Sequence, residues 1–323
     1  MLRWNKTGIT IVDGNQLNTP FDVVADYANN LYVVNYGNSR VQKFLFGNFT
    51  GQIVAGNGTP GASAYELNHP SKLVIDSNEN LYISDTVNHR IQLWKKGTNR
   101  GETVAGITGT FNIILVLLGT KNVFKYFIGS PGNAVYQLSS PYGITLNPTT
   151  NTLYVSDYNN HRIMSYAPGT VNGTLLLGGN GPGFSNTQLH YPVGLHYDSL
   201  TNSLIIANIL AHNIVRYTFG SNNWTLVAGN SSGYSGSSSN LLLEPPDITL
   251  DPMGNLYVAD RNNHRIQLFY NGQFNGITIA GITGVSSVNT TTLDWPWSVK
   301  LDSQLNLYVA DAYNYRIQKF LRY

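Results

Sequence analysis

Six times along the chain, a short run in which β-branched and aromatic residues alternate with polar ones leads into a turn rich in Asp, Asn and His, and then into a second such run. The copies begin at Leu31 (LYVVNYGNSRVQKF), Leu81 (LYISDTVNHRIQLW), Leu153 (LYVSDYNNHRIMSY), Leu204 (LIIANILAHNIVRY), Leu256 (LYVADRNNHRIQLF) and Leu307 (LYVADAYNYRIQKF), at spacings of 50, 72, 51, 52 and 51 residues. Alternation bounded by turn residues predicts two strands and a tight turn per copy. A third run precedes each copy and opens on proline, at Pro20, Pro70, Pro141, Pro192, Pro245 and Pro296. Proline suits the first residue of a strand, where its missing N–H costs nothing. A fourth run follows each of the first five copies and ends at glycine: Gln52 to Gly56, Glu102 to Gly106, Thr174 to Gly178, Thr225 to Gly229 and Ile277 to Gly281.

Repeats at one such period form a closed or stacked array, and four antiparallel strands per repeat make one propeller blade. Strand counting indicates how the ring closes. Gly8 to Gly14 is a fourth-strand motif with no blade before it, and the chain stops just after the third strand of the sixth copy. Placing Ile9 to Val12 as the outer strand of the last blade leaves no half-blade at either end. The expected fold is therefore all-β: a six-bladed β-propeller of four-stranded antiparallel blades, a single domain over residues 1–323, closed by the N-terminal strand completing the C-terminal blade.

The runs Asn88-His89-Arg90, Asn160-His161-Arg162 and Asn263-His264-Arg265, each following Leu-Tyr-hydrophobic-x-Asp, resemble NHL repeats. The resemblance implies a six-bladed NHL β-propeller over nearly the whole chain. Blade 4 departs from the pattern, with Asn208, His212 and Asn213 where Asp, His and Arg are expected, and blades 1 and 6 carry Ser39 and Tyr315 in place of His.

One interval is too long. Residues 111–130 are apolar and unlike any other linker, and omitting these 20 residues restores a spacing of 52. The apolar run breaks at Gly119-Thr120-Lys121-Asn122, well short of the ~20 residues of a membrane span. A partner-binding hairpin, an ordinary inserted loop and translated non-coding sequence all remain open as readings of this segment.

Charge narrows the function. Charged residues make up 11% of the chain, the net charge is +2, and the Lys and Arg residues are spread through the repeats. Nucleic acid demands a concentrated basic surface, so RNA binding, which some NHL propellers perform, is not the expected role. The chain has no cysteine, so it cannot build the zinc modules of tripartite-motif relatives. That absence fits a reducing compartment. Residues Met1 to Lys6 contain no apolar run resembling a signal peptide, which makes the cytoplasm the default expectation.

His89, His161, His212 and His264 look at first like metal ligands. Turns at mid-blade radius lie on the order of 10 Å from the axis, however, whereas zinc needs ligands about 2 Å from one ion. Histidines that repeat in this way are expected to brace the turns and link neighbouring blades. Asp85, Asp157, Asp260 and Asp311 are expected to accept backbone N–H bonds in their own turns. Specificity should lie where the repeats differ. Those positions start the innermost strands and ring the mouth of the central channel: Phe21, Tyr142 and Trp297, with Trp295 beside them. Asp22, Lys72 and Asp247 are expected to supply polar selectivity at the rim, and His196 and Lys300 to point into the channel. Aromatics clustered at a mouth suit a binding hot spot, although the same rings could simply plug the channel.

The expected function is that of a non-catalytic binding or scaffold propeller. It would be a monomer without cofactor or metal, receiving a protein or small-ligand partner on the loop face around the channel. The alternative class is an enzyme, because amidating lyases that cleave peptidyl-hydroxyglycine use a similar propeller with zinc held by His near the axis. Here only His69, His190 and His196 lie in or near inner strands.

Overall fold

The computed structural model describes residues 2–106 and 130–323, so the atypical segment lies outside the described residues except for Ser130. An N-terminal strand, β1 (Ile9–Val12), precedes blade 1: β2 (Pro20–Ala25), β3 (Leu31–Asn35), β4 (Arg40–Phe44) and β5 (Gln52–Ala55). Blade 2 is β6 (Pro70–Ile75), β7 (Leu81–Asp85), β8 (Arg90–Trp94) and β9 (Gly101–Ala105), and blade 3 is β10 (Pro141–Leu146), β11 (Leu153–Asp157), β12 (Arg162–Tyr166) and β13 (Thr174–Gly178). Blade 4 comprises β14 (Pro192–Asp198), β15 (Ser203–Asn208), β16 (Asn213–Thr218) and β17 (Trp224–Gly229). Blade 5 comprises β18 (Asp247–Leu250), β19 (Leu256–Asp260), β20 (Arg265–Phe269) and β21 (Ile277–Gly281). Blade 6 has β22 (Pro296–Leu301), β23 (Leu307–Asp311) and β24 (Arg316–Phe320), and takes its fourth strand from β1.

The closure is antiparallel, with Ile9 opposite Lys319, Thr10 opposite Gln318 and Val12 opposite Ile317. It extends further than the sequence pattern indicates. Trp4 bridges to Arg322, is only 4% exposed, and donates its indole N–H to the Leu305 carbonyl at 2.8 Å. Its ring meets Tyr257 edge-on, which ties the N-terminus to blade 5 as well as blade 6.

The core is divided into six wedges, each between two neighbouring blades. Between blades 1 and 2, for example, Tyr32, Val34 and Val41 pack on Leu73, Ile83 and Trp94. Both faces of a blade are thus covered, and every residue of β3, β11, β19 and β23 is buried. Blade 5 differs in one detail: its inner strand starts at Asp247 rather than at Pro245. Pro246, as the second of two prolines, has no N–H to give to the ladder.

Candidate functional site

The NHL-like turns form a clamp. Asp85 accepts the Asn68 N–H at 2.7 Å on Oδ1, while Oδ2 accepts from Asn88 Nδ2 at 2.8 Å and from Arg90 Nε at 2.7 Å. Asp157, Asp260 and Asp311 repeat this with the N–H groups of Ser139, Leu243 and Asp294. The expectation that these carboxylates serve their own turns is therefore corrected: the backbone donor belongs to the incoming linker. Arg90 then reaches the linker carbonyls of Ala62 and Ser63, and Asn88 reaches that of Gly61. Each of the four aspartates is wholly buried, and such a charge persists only when it is paired and hydrogen-bonded.

The histidines link blades, as their repetition indicated. The Nδ1 of His89 accepts the Ser140 N–H at 3.0 Å, that of His161 the Tyr191 N–H at 3.2 Å, and that of His212 the Glu244 N–H at 3.1 Å. The three donors precede the next blade's proline and sit at positive φ, between 50° and 54°, a conformation uncommon outside glycine.

Burial holds His89, His161 and His212 below the ordinary imidazole value, helped in the last two by His190. A folded pKa below the unfolded value of about 6.5 means that the unfolded chain binds more protons as pH falls. The stability these links contribute is then fully present above about pH 6.5 and is lost as pH falls through the depressed folded values. Thermal melts from pH 7.5 to 5 should show a falling midpoint, with a shallower slope in the triple variant His89→Asn, His161→Asn, His212→Asn. Equal slopes would show that the links do not titrate.

At the channel mouth, the residues that do not repeat come together. Phe21 and Trp297, from adjoining blades, stack at 3.9 Å with planes 8° apart, and Tyr36 stacks on the other face of Phe21 at 3.9 Å. The Arg261 guanidinium lies over both Trp297 and Trp295, at 5.0 and 4.5 Å, and pairs with Glu244. Tyr313 stacks on Trp295 at 4.5 Å, while Tyr142 stands 6.3 Å from Trp297 and 4.9 Å from Tyr158. Ring faces are spent on one another, so Phe21 is buried and Trp297 stays half-buried. Burial pushes the Tyr142 phenol well above its ordinary value. Tyr36, Tyr158 and Arg261 were not anticipated, although the signal was there: the residue after strand two also varies from blade to blade, with only Tyr occurring twice.

Asp22, Lys72 and Asp247 do not stand at the rim. They lie one layer deeper, at 0%, 7% and 2% exposure, because they occupy the third position counted from the opening prolines Pro20, Pro70 and Pro245, and side chains at that position point into the channel. Lys72 Nζ lies 3.0 Å from Asp22 and 2.8 Å from Asp247, the latter on the opposite blade, so it crosses the axis. Ser298 Oγ sits 2.6 and 2.7 Å from the same two carboxylates, and Lys300 Nζ is 2.6 Å from Asp247. Burial opposes ionisation of Asp247, yet Lys300 and Lys72 outweigh it and hold the carboxyl well below the usual range. Burial and Lys300 bring His196 down to about 4, so this imidazole is neutral at pH 7. Blades 3 and 4 have glycine at the third position. A Cβ on Gly143 would stand 1.9 Å from the Val193 carbonyl.

Between the aromatic layer and the charged layer only about 10 Å³ of space remains, room for roughly one water. The opposite end of the channel opens into a cavity of about 640 Å³. Among the described residues, no group of three His, Cys, Asp or Glu is placed to hold a metal ion. His69 lies against Tyr36 and His190 against Tyr191, so His69, His190 and His196 do not converge. No helix of the described residues is long and apolar enough to cross a membrane.

A comparison with curated protein sequences found no match. Among solved structures, an auxiliary nutrient binding protein from Bacteroides thetaiotaomicron is similar at TM-score 0.68 and 15% identity, over 99% of this chain and 72% of that one. A gluconolactonase from Xanthomonas campestris is similar at TM-score 0.66 and 11% identity, over 97% and 89%. Virginiamycin B lyase from Staphylococcus aureus is similar at TM-score 0.59 and 14% identity, over 99% of each chain. At these identities the likeness is one of fold. The family model described as NHL repeat matches residues 67–93, 138–164, 242–269 and 293–320, which lie in blades 2, 3, 5 and 6. The two blades it passes over are those with Asn35 and Asn208 in place of the clamp aspartate. Repeats, clamp and ring closure together make this chain a six-bladed β-propeller with NHL repeats in four of its blades.

Proposed function

We propose that this propeller is a single-domain, monomeric, non-catalytic binding protein that receives a protein or small-molecule partner at the aromatic channel mouth. Phe21, Tyr142, Trp295 and Trp297 form the contact layer, and Asp22, Lys72 and Asp247 hold the floor beneath them. The observation that carries this reading is the convergence of unrepeated aromatics on one spot, since residues that merely build blades recur from blade to blade. The nutrient-binding and enzymatic neighbours support a propeller scaffold that hosts either role, and fold alone does not choose between them.

Truncating a central aromatic anchor typically costs about 2 kcal/mol or more, roughly thirtyfold in affinity. Affinity capture with the intact protein identifies the partner, and titration with the Trp297→Ala variant then tests the patch. Affinity within about twofold of the intact protein, with the fold unchanged by circular dichroism, would mean that the rings only plug the channel.

A further inference from the structure

We propose that the open end of the axial channel, on the face opposite the aromatic mouth, is a second ligand site that takes a small organic cation, an amine carried on an apolar body. The cavity of about 640 Å³ draws on five of the six blades, and its size falls within the ~300–1,000 Å³ of small-molecule pockets. It is blind, because Lys72 crosses the axis to Asp247 above it and the stacked rings close the channel beyond. Its walls are the ends of the innermost strands, where Val24, Val74, Ile75, Leu146 and Leu301 present apolar surface.

The cavity makes the site, and the rim sets the sign of its occupant. Asp26, Asp76, Glu79 and Asp302 line it, with no Lys, Arg or His among the described lining residues. Three of these carboxylates are held rigidly by a five-residue turn: Asp76 accepts the Asn80 N–H at 2.8 Å on Oδ1 and Asn80 Nδ2 at 2.9 Å on Oδ2, as Asp26 does with Asn30 and Asp302 with Asn306. Lys43, Lys96 and Lys319 offset Asp26, Glu79 and Asp302. Asp76 has no cation within 4 Å among the described residues, so the negative potential of the cleft is least balanced there. An ammonium group at Asp76, with its apolar body against Val74 and Ile75, satisfies both parts of the cavity.

Isothermal titration of the intact protein with phenethylamine, neutral 2-phenylethanol and anionic 3-phenylpropionate tests this. The amine should bind saturably and at least ~tenfold more tightly than the alcohol, and the acid should not bind. Asp76→Asn should weaken the amine about tenfold and leave the alcohol unchanged. Val74→Trp, or Val24→Phe should that variant not fold, should abolish both, and Trp297→Ala at the other mouth should change neither. Equal affinity for amine and alcohol, amine binding that survives the cavity-filling variant, amine binding lost with Trp297→Ala, or no saturable binding by folded protein would each overturn the proposal.

Discussion

A chain lacking residues 1–14 will melt roughly 10 °C or more below the intact protein. The deletion removes all of β1, including Val12 at 3% exposure, and with it Trp4, which fills the wedge between blades 5 and 6. Loss of a buried Trp side chain alone typically costs about 3–5 kcal/mol. The deletion also strips the three ladder positions at Ile9, Thr10 and Val12 and leaves β24 as an unpaired edge, a template for association. Differential scanning calorimetry measures the drop, and size-exclusion chromatography should show larger species. Trp4→Ala in the full chain separates the two contributions, with about 3 kcal/mol expected from the ring alone. An unchanged midpoint after the deletion would refute the closure as a source of stability.

Asp247→Ala will destabilise the propeller by about 3–5 kcal/mol, the usual cost of breaking a buried ion pair by removing one partner. The remaining charges explain the size of the effect. Lys72 and Lys300 would face only Asp22 across the channel, with burial opposing both ammonium groups. Urea unfolding at pH 7 reads the loss, and Lys300→Met in the same chain should recover part of it by removing one unpaired cation. The pH dependence has a definite sign. Because the folded Asp247 pKa is depressed, its contribution is present above the unfolded value of about 3.9 and fades only as pH falls below it. A loss under about 1 kcal/mol at pH 7 would mean that water replaces the carboxylate at little cost.

How far the sequence could be read depended on the range of each interaction. Strand identity, turn position and the place of Ile9 to Val12 follow from local alternation and from the repeat, and the structure reproduces them. The clamp was only half visible: Asp85 and Arg90 stood out, but not that they hold Asn68 and Ala62, because a side chain's partner across a linker leaves no periodic trace. Trp4 was passed over for the same reason, as it lies outside the repeat. One signal was present and missed. Asp26, Asp76, Asp251 and Asp302 each precede an Asn by four positions, at Asn30, Asn80, Asn255 and Asn306, and in blades 1, 2 and 6 this recurring pair builds turns that line the open cavity.

Within the mouth, Phe21 and Tyr142 gather at Trp297 and Trp295 is joined to it through Arg261, whereas Asp22, Lys72 and Asp247 sink below them. Both facts concern the same strand starts. A single strand reports that positions two and three face different ways, but not which of them ends up in water. The number of blades and the way they close are properties of one repeat copied along the chain, so periodicity alone dictates them. The contents of the channel are a property of six side chains per layer, drawn from positions about 50 residues apart. Their volumes and charges add up only once the ring has closed. Lys72 finds Asp247 because closure brings opposite blades within a side chain's reach, and glycine at 143 and 194 is needed because neighbouring backbones approach there. Packing in three dimensions therefore decides which end of the axis is sealed and which stays open.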